Sequence, residues 1–347
     1  MKSQKKYKIG GERVIKTGLA VLITAWICTS LGLPAIFAVI TAIVTLEPTA
    51  SDSIRKGFVR LPASAIGAAI SVGFVSIYGE TAFTYAIAAT LTIFICHKLK
   101  LTEGTLVATL TAVAMIPDID GHFLMTFLAR LGTTFIGLVV STLVNLVVLP
   151  PKFTPLLAAK LDKLFHLSAH VLVETMETIF KIEGRVTPKP MDSYLLLRKE
   201  GEKAVRLSTF QREEWKFHRG KIKEFRLYSL NEKRLTMLQR IILHLGNLQY
   251  IDQNVRLTPE EKTLLISIMT TMKKILQDPY HEIDEEHYCA IEELDTRLKK
   301  HRLVEKNPEK YRHHFSPKTI VFYELLSLHD TLEELELLMS HSSNIRK

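Results

Sequence analysis

The sequence predicts an all-α polytopic membrane protein: six transmembrane helices forming two inverted three-helix repeats, followed by a cytoplasmic helical bundle. Three observations carry this reading. Charge density changes abruptly near Pro150, six apolar runs precede that point, and those runs are self-similar at a spacing of 70 residues. Residues 1–150 hold 12 Lys+Arg and 7 Asp+Glu, whereas residues 151–347 hold 33 and 29. The average composition, +9 and 47% hydrophobic, therefore describes neither half. A single soluble domain, a disordered chain and a disulfide scaffold are all excluded by this split and by only three cysteines.

Residues 1–13 form a basic start, read as the cytoplasmic flank of a retained signal-anchor because further apolar runs follow. The runs lie at about 14–33, 34–46, 59–78, 82–97, 104–117 and 123–149, to be compared with the roughly 20 helical residues that cross a bilayer. Lys and Arg mark cytoplasmic loops. They occur in the N-terminus, in the second connection (Arg55, Lys56, Arg60) and in the fourth (Lys98, Lys100). The third and fifth connections carry Glu80 and then Asp118, Asp120 and His122, without Lys or Arg. Six crossings in the plasma membrane, with both termini cytoplasmic, satisfy every loop.

A shift of 70 residues places Arg60–Gly67 on Arg130–Gly137, and Ala38, Thr41, Ala42 and Ser71 on Ala108, Thr111, Ala112 and Ser141. Each copy, about 14–80 and 82–150, contains three crossings, so the second is inverted relative to the first. Transporters built this way place their sites near the midplane, where short Pro/Gly-bounded segments meet. The second and fifth runs are such segments, with Thr41 and Thr111 supplying hydroxyls and Glu47-Pro48 and Pro117-Asp118 at their ends. Those threonines also suit helix packing and backbone satisfaction, so both roles stay open.

Arg60 sits close to a basic loop, but Arg130 lies seven residues inside an apolar run. Burying an arginine there costs on the order of 2.5–3.5 kcal/mol. Two readings remain open: a tilted helix lets it snorkel outward, or it faces a polar path and forks onto a carboxylate. Gly67 and Gly137 suit close helix packing.

Leu46-Glu47-Pro48-Thr49, Asp52-Ser53, Lys56-Gly57 and the Arg60–Gly67 segment resemble the Gln-Pro-Thr, Asp-Ser, Lys-Gly and Arg-x-x-Gly-Thr-x-Ile-Gly pattern of the aromatic acid exporter family, related to fusaric acid resistance transporters. Glu47 stands where Gln is common, and Ala63-Ser64 where Gly-Thr is usual. One branch of that family carries a cytoplasmic helical domain of this size. The resemblance implies efflux of aromatic carboxylate-like anions and a homodimer. The repeat, its matching arginines and the two short runs make Arg60, Arg130, Thr41, Thr111, Glu47 and Pro48 the candidate path residues, with Glu47, Asp118 and His97 as proton-coupling candidates. A passive anion channel, and a membrane-anchored sensor or scaffold acting through the cytoplasmic domain, are the alternative readings.

No catalytic chemistry, metal or cofactor is expected. Lys16-Thr17 mimics the end of a phosphate loop, but Ile15 occupies the required glycine. His166 and His170 lack further ligands, and the His281, Asp284, Glu285, His287, Cys289 cluster reads as a charge-rich helix start. The basic stretch 216–226 suits anionic lipid headgroups or plain solvation, and no nucleic-acid partner is expected. Beyond Pro150, helical stripes, a break at 184–190, two long helices near 192–227 and 229–255, and starts at Thr258-Pro259 and Ser316-Pro317 predict an antiparallel bundle over 151–347.

Overall fold

The computed structural model describes residues 9–118, 122–148, 151–180, 190–217, 222–251, 255–304 and 316–346. Among them are twelve α-helices and no strand. The chain divides into two compact units, one of residues 1–152 with 210–219, the other of 153–209 with 220–347.

The first unit contains α1 (Ile9–Ser30), α2 (Ala35–Thr45), α3 (Ala50–Tyr78), α4 (Ala82–Lys98), α5 (Thr105–Met115) and α6 (Phe123–Val147). Three of these, over Gly11–Ser30, Ala50–Tyr78 and Phe123–Val147, are long and apolar enough to cross a membrane, and Ala35–Thr45 and Ala82–Lys98 are shorter apolar helices. α2 and α5 have 11 residues each. At 1.5 Å per residue they rise about 16 Å, roughly half of a hydrocarbon core. α3 starts nine residues before the apolar run does, because Thr49 caps it by accepting the Asp52 N–H at 3.1 Å. It ends at Gly79, whose φ of +63° is open to glycine at little cost.

α3 packs on α5, α6 and α4, and α6 packs on α2, α3 and α1. The buried positions are small or hydroxylated: Ala38, Ala42, Ala63, Ala108 and Ala112, with Thr111, Thr133, Thr134, Ser64, Ser71 and Ser141. Large apolar side chains point outward instead, Trp26 being 69% exposed and Ile36 likewise 69%. A core of small residues under an apolar exterior is the arrangement of helices surrounded by lipid. The closest approaches are at glycines. A Cβ on Gly67 would lie 2.3 Å from the Ala108 carbonyl oxygen, and one on Gly137 would lie 2.5 Å from that of Ala38.

The second unit has the opposite interior. Leu157, Leu161, Phe165, Leu172, Leu238, Ile268 and Phe322 are buried together, as water-driven burial of large apolar groups requires. They come from α7 (Phe153–Ile179), α9 (Ile222–Gln249), α10 (Pro259–Gln277) and α12 (Pro317–Arg346), with α8 (Pro190–Glu214) and α11 (Glu285–Val304) completing the set. α9 packs against α7 and α12, and α10 against α7 and α11. At the expected start of α10 Thr258 and Glu261 form a capping box, and Ser316 accepts the Thr319 N–H at 3.2 Å to start α12. The predicted helix at 192–227 is shorter: α8 ends at Glu214 and Trp215–Phe217 turn. The predicted break at 184–190 lies outside the described residues except for Pro190, which begins α8.

Candidate functional site

Three polar clusters interrupt the apolar first unit. In the first, the connection between α2 and α3 brings Glu47 onto Arg60, whose Nη2 donates to Glu47 Oε1 at 2.5 Å. Arg60 also donates from Nε to the Glu103 carbonyl at 3.3 Å and from Nη1 to the Thr45 carbonyl at 3.5 Å. Lys56, one turn before Arg60, reaches Glu47 Oε2 at 3.1 Å and Glu103 Oε2 at 3.5 Å. Arg60 is only 6% exposed, and a buried cation needs such a counter-charge and its own acceptors. Pro48 is exposed in the same connection.

The second cluster surrounds Arg130, also 6% exposed. Its Nη2 donates to Thr111 Oγ1 at 3.2 Å, and its guanidinium carbon stands 3.6 Å from the centre of the Phe37 ring. The ring's negative face favours the cation. Thr111 Oγ1 is 3.0 Å from Ser64 Oγ, which is 3.3 Å from Thr134 Oγ1. A guanidinium, an aromatic face and three hydroxyls from α2, α3, α5 and α6 thus meet. Such a set can hold a planar carboxylate by fork-like hydrogen bonds while an aromatic ring stacks beside it.

Thr41 does not join this set. Its hydroxyl donates to the Phe37 carbonyl of its own helix at 2.8 Å, and its side chain lies against Gly137. Thr41 thus bonds to the backbone of its own helix, whereas Thr111 meets Arg130 and Ser64 on neighbouring helices. His97 is exposed in the last turn of α4, and Asp118 closes the short turn Ile116–Asp118.

The third cluster escaped the sequence reading. Asn145, 1% exposed in α6, accepts a hydrogen bond from Lys16 Nζ at 2.9 Å. Its Nδ2 donates to the carbonyls of Glu47 (2.9 Å) and Thr49 (3.1 Å) and to Ser53 Oγ (2.8 Å). The available signal was the same one that exposed Arg130: a polar side chain inside an apolar run needs partners. In the second unit His281 and His287 are buried while Cys289 is exposed. Among the described residues no group of three His, Cys, Asp or Glu is gathered as a metal site.

Residues 7–148 match the model of aromatic acid exporter family member 1. Similarity to curated proteins runs the length of the chain. It is 44% identical to a UPF0421 protein of Bacillus cereus, over 97% of this chain and 95% of that one. A UPF0421 protein of Halalkalibacterium halodurans is 39% identical over 94% and 88%. One of Staphylococcus aureus is 35% identical over 91% and 95%. Apolar helices of spanning length, a small-residue core and these matches together make this a multi-pass membrane protein of a transport family. The chain belongs to the aromatic acid exporter family, with the UPF0421 proteins as relatives along almost its whole length.

Proposed function

We propose that the protein is a secondary transporter that exports small organic anions, aromatic carboxylates among them, across the plasma membrane without ATP hydrolysis. The observation that carries this is Arg130, a buried permanent cation held against the Phe37 ring and the Thr111 hydroxyl. In this reading residues 14–150 are the transmembrane domain, with six crossings and both termini cytoplasmic, and residues 151–347 are a cytoplasmic domain. The half-depth helices α2 and α5 occupy matching positions of two inverted repeats. Reciprocal contacts support the repeat: Gly67 meets Ala108 as Gly137 meets Ala38, each residue 70 from its equivalent. Ser64 and Thr134, themselves equivalent, touch as residues beside a pseudo-two-fold axis do.

Coupling is assigned to Glu47, with Asp118 and His97 as secondary candidates. A proton on Glu47 cancels the charge that holds Arg60 and Lys56, so the cytoplasmic end of the path loosens when the carboxylate is neutral. The test is flux of an aromatic carboxylate such as benzoate in proteoliposomes holding the purified chain. Arg130→Ala is expected to abolish flux while expression and thermal stability persist. Unchanged flux in that variant sinks the role given to Arg130, and a current that ignores the proton gradient replaces the transporter with a channel.

A further inference from the structure

The first unit includes a segment remote in sequence from its six helices, residues 210–219. It contains the last turn of α8, and two consecutive carboxylates there contact the N-terminus of α3. Glu214 Oε1 accepts the Ala50 backbone N–H at 2.7 Å. Glu213 Oε2 accepts the Thr49 hydroxyl at 3.1 Å, while that same hydroxyl oxygen accepts the Asp52 N–H. Glu214 is 2% exposed, and Thr49 and Ala50 are fully buried. A buried carboxylate on a free N–H at the positive end of a 29-residue helix is a charge-assisted bond favoured by the helix dipole. Glu214 also attracts the buried ammonium of Lys16 across the same corner.

This contact falls on the connection that sets the Arg60 cluster. Asn145 grips the carbonyls of Glu47 and Thr49, and the Glu47 carboxylate holds Arg60. Residues 47–50 are therefore pinned by Arg60, Asn145 and the end of α8. Motion of this connection away from Arg60 would strain the bonds that the α8 carboxylates make to Thr49 and Ala50 and those that Asn145 makes to the carbonyls. Residues 190–209 of α8 belong to the second unit, where Leu197 and Ala204 are buried in its interior.

We propose that Glu213 and Glu214 form an autoinhibitory latch, holding the α2–α3 connection in its Arg60-paired state until α8 is displaced. As a regulator of flux the latch rests on the transport reading above, but the contact itself is testable apart from it. The full chain is used in lipid nanodiscs and proteoliposomes, with Glu214→Gln preserving shape and Glu214→Ala removing the group. Hydrogen exchange at the amides of residues 50–53 is expected to quicken about 10-fold or more in Glu214→Ala, with peptides from α6 unchanged as the folding control. Benzoate flux is expected to rise about 5-fold or more in both variants.

Unchanged exchange at residues 50–53 overturns the latch regardless of transport. Faster exchange with wild-type flux, in a preparation whose wild type transports, also overturns it and leaves a helix cap. Flux that appears only in the Glu214 variants supports the latch directly. Silence of all three proteins despite faster exchange overturns the transport reading on which the regulation rests.

Discussion

Arg130 and Asn145 solve the same physical problem with different groups. A polar side chain placed among apolar helices is tolerated only where partners converge on it. Arg130 offers a fork to Thr111 and a cation to Phe37. Lysine keeps the charge but loses the plane and the fork, so Arg130→Lys is expected to cut benzoate flux about 10-fold or more with little change in melting temperature. Asn145→Leu should do the reverse, lowering stability because the Lys16 ammonium, two carbonyls and Ser53 lose their shared partner. Each stranded buried group costs about 1–3 kcal/mol, which a melt in detergent would register as a fall of several degrees. Arg130 was legible in the sequence because a permanent charge within an apolar run is conspicuous. Asn145 was less conspicuous, since it carries no charge and its four partners are distant in sequence.

At the level of helices, the exchange of large side chains for glycine and alanine decides how closely the backbones approach. Gly67→Ala and Gly137→Ala each drive a Cβ into a carbonyl oxygen of the neighbouring helix. Overpacking of this kind costs about 1–3 kcal/mol, and the two losses should be of similar size in the same melting assay. Gly132 and Gly73 have nothing within 4 Å of the position a Cβ would take, so alanine there should be neutral or slightly stabilising. A large loss at Gly132 with none at Gly67 would contradict the packing. Helix positions were readable from apolar runs, but the start of α3 was not, because hydropathy ignores the polar first turns that Thr49 caps. The short lengths of α2 and α5 were legible as Pro/Gly-bounded runs, whereas the partners of Thr41 and Thr111 required the tertiary contacts.

Over the whole chain, two interiors built on different rules respond differently to acid. In the second unit His287 Nδ1 lies 2.7 Å from Thr271 Oγ1, and its Nε2 lies 3.2 Å from His329 Nδ1. Burial, and then the neighbouring His329, push the His287 imidazole down to about 4. Burial also lowers His329 and His281. Groups with depressed values bind protons more readily when unfolded, so their contribution is full above about pH 6.5 and declines as pH falls toward about 4. Melting of the full chain should therefore lose stability across that window, and His287→Gln should flatten the decline. A pH profile identical to wild type would rule the histidine pair out as its cause. The composition break at residue 150 was plain in the sequence, but the attachment of residues 210–219 to the first unit was not. Helical periodicity says which face of α8 is apolar and nothing about where its last turn docks.

The Asn145 cluster also dictates an order of biogenesis. Lys16 enters the bilayer with the first helix, but the amide that accepts its hydrogen bond is encoded 129 residues later. Until α6 emerges, that ammonium has to stay at the headgroups on its flexible stem, and the turn carrying Glu47 and Thr49 has no amide to gather its carbonyls. The sixth helix is thus a keystone: nascent chains cut before it should sit in the membrane with the first helix displaced toward the headgroups at its Lys16 end, and Lys16 should remain open to amine-reactive labels until residue 145 has been synthesised and inserted.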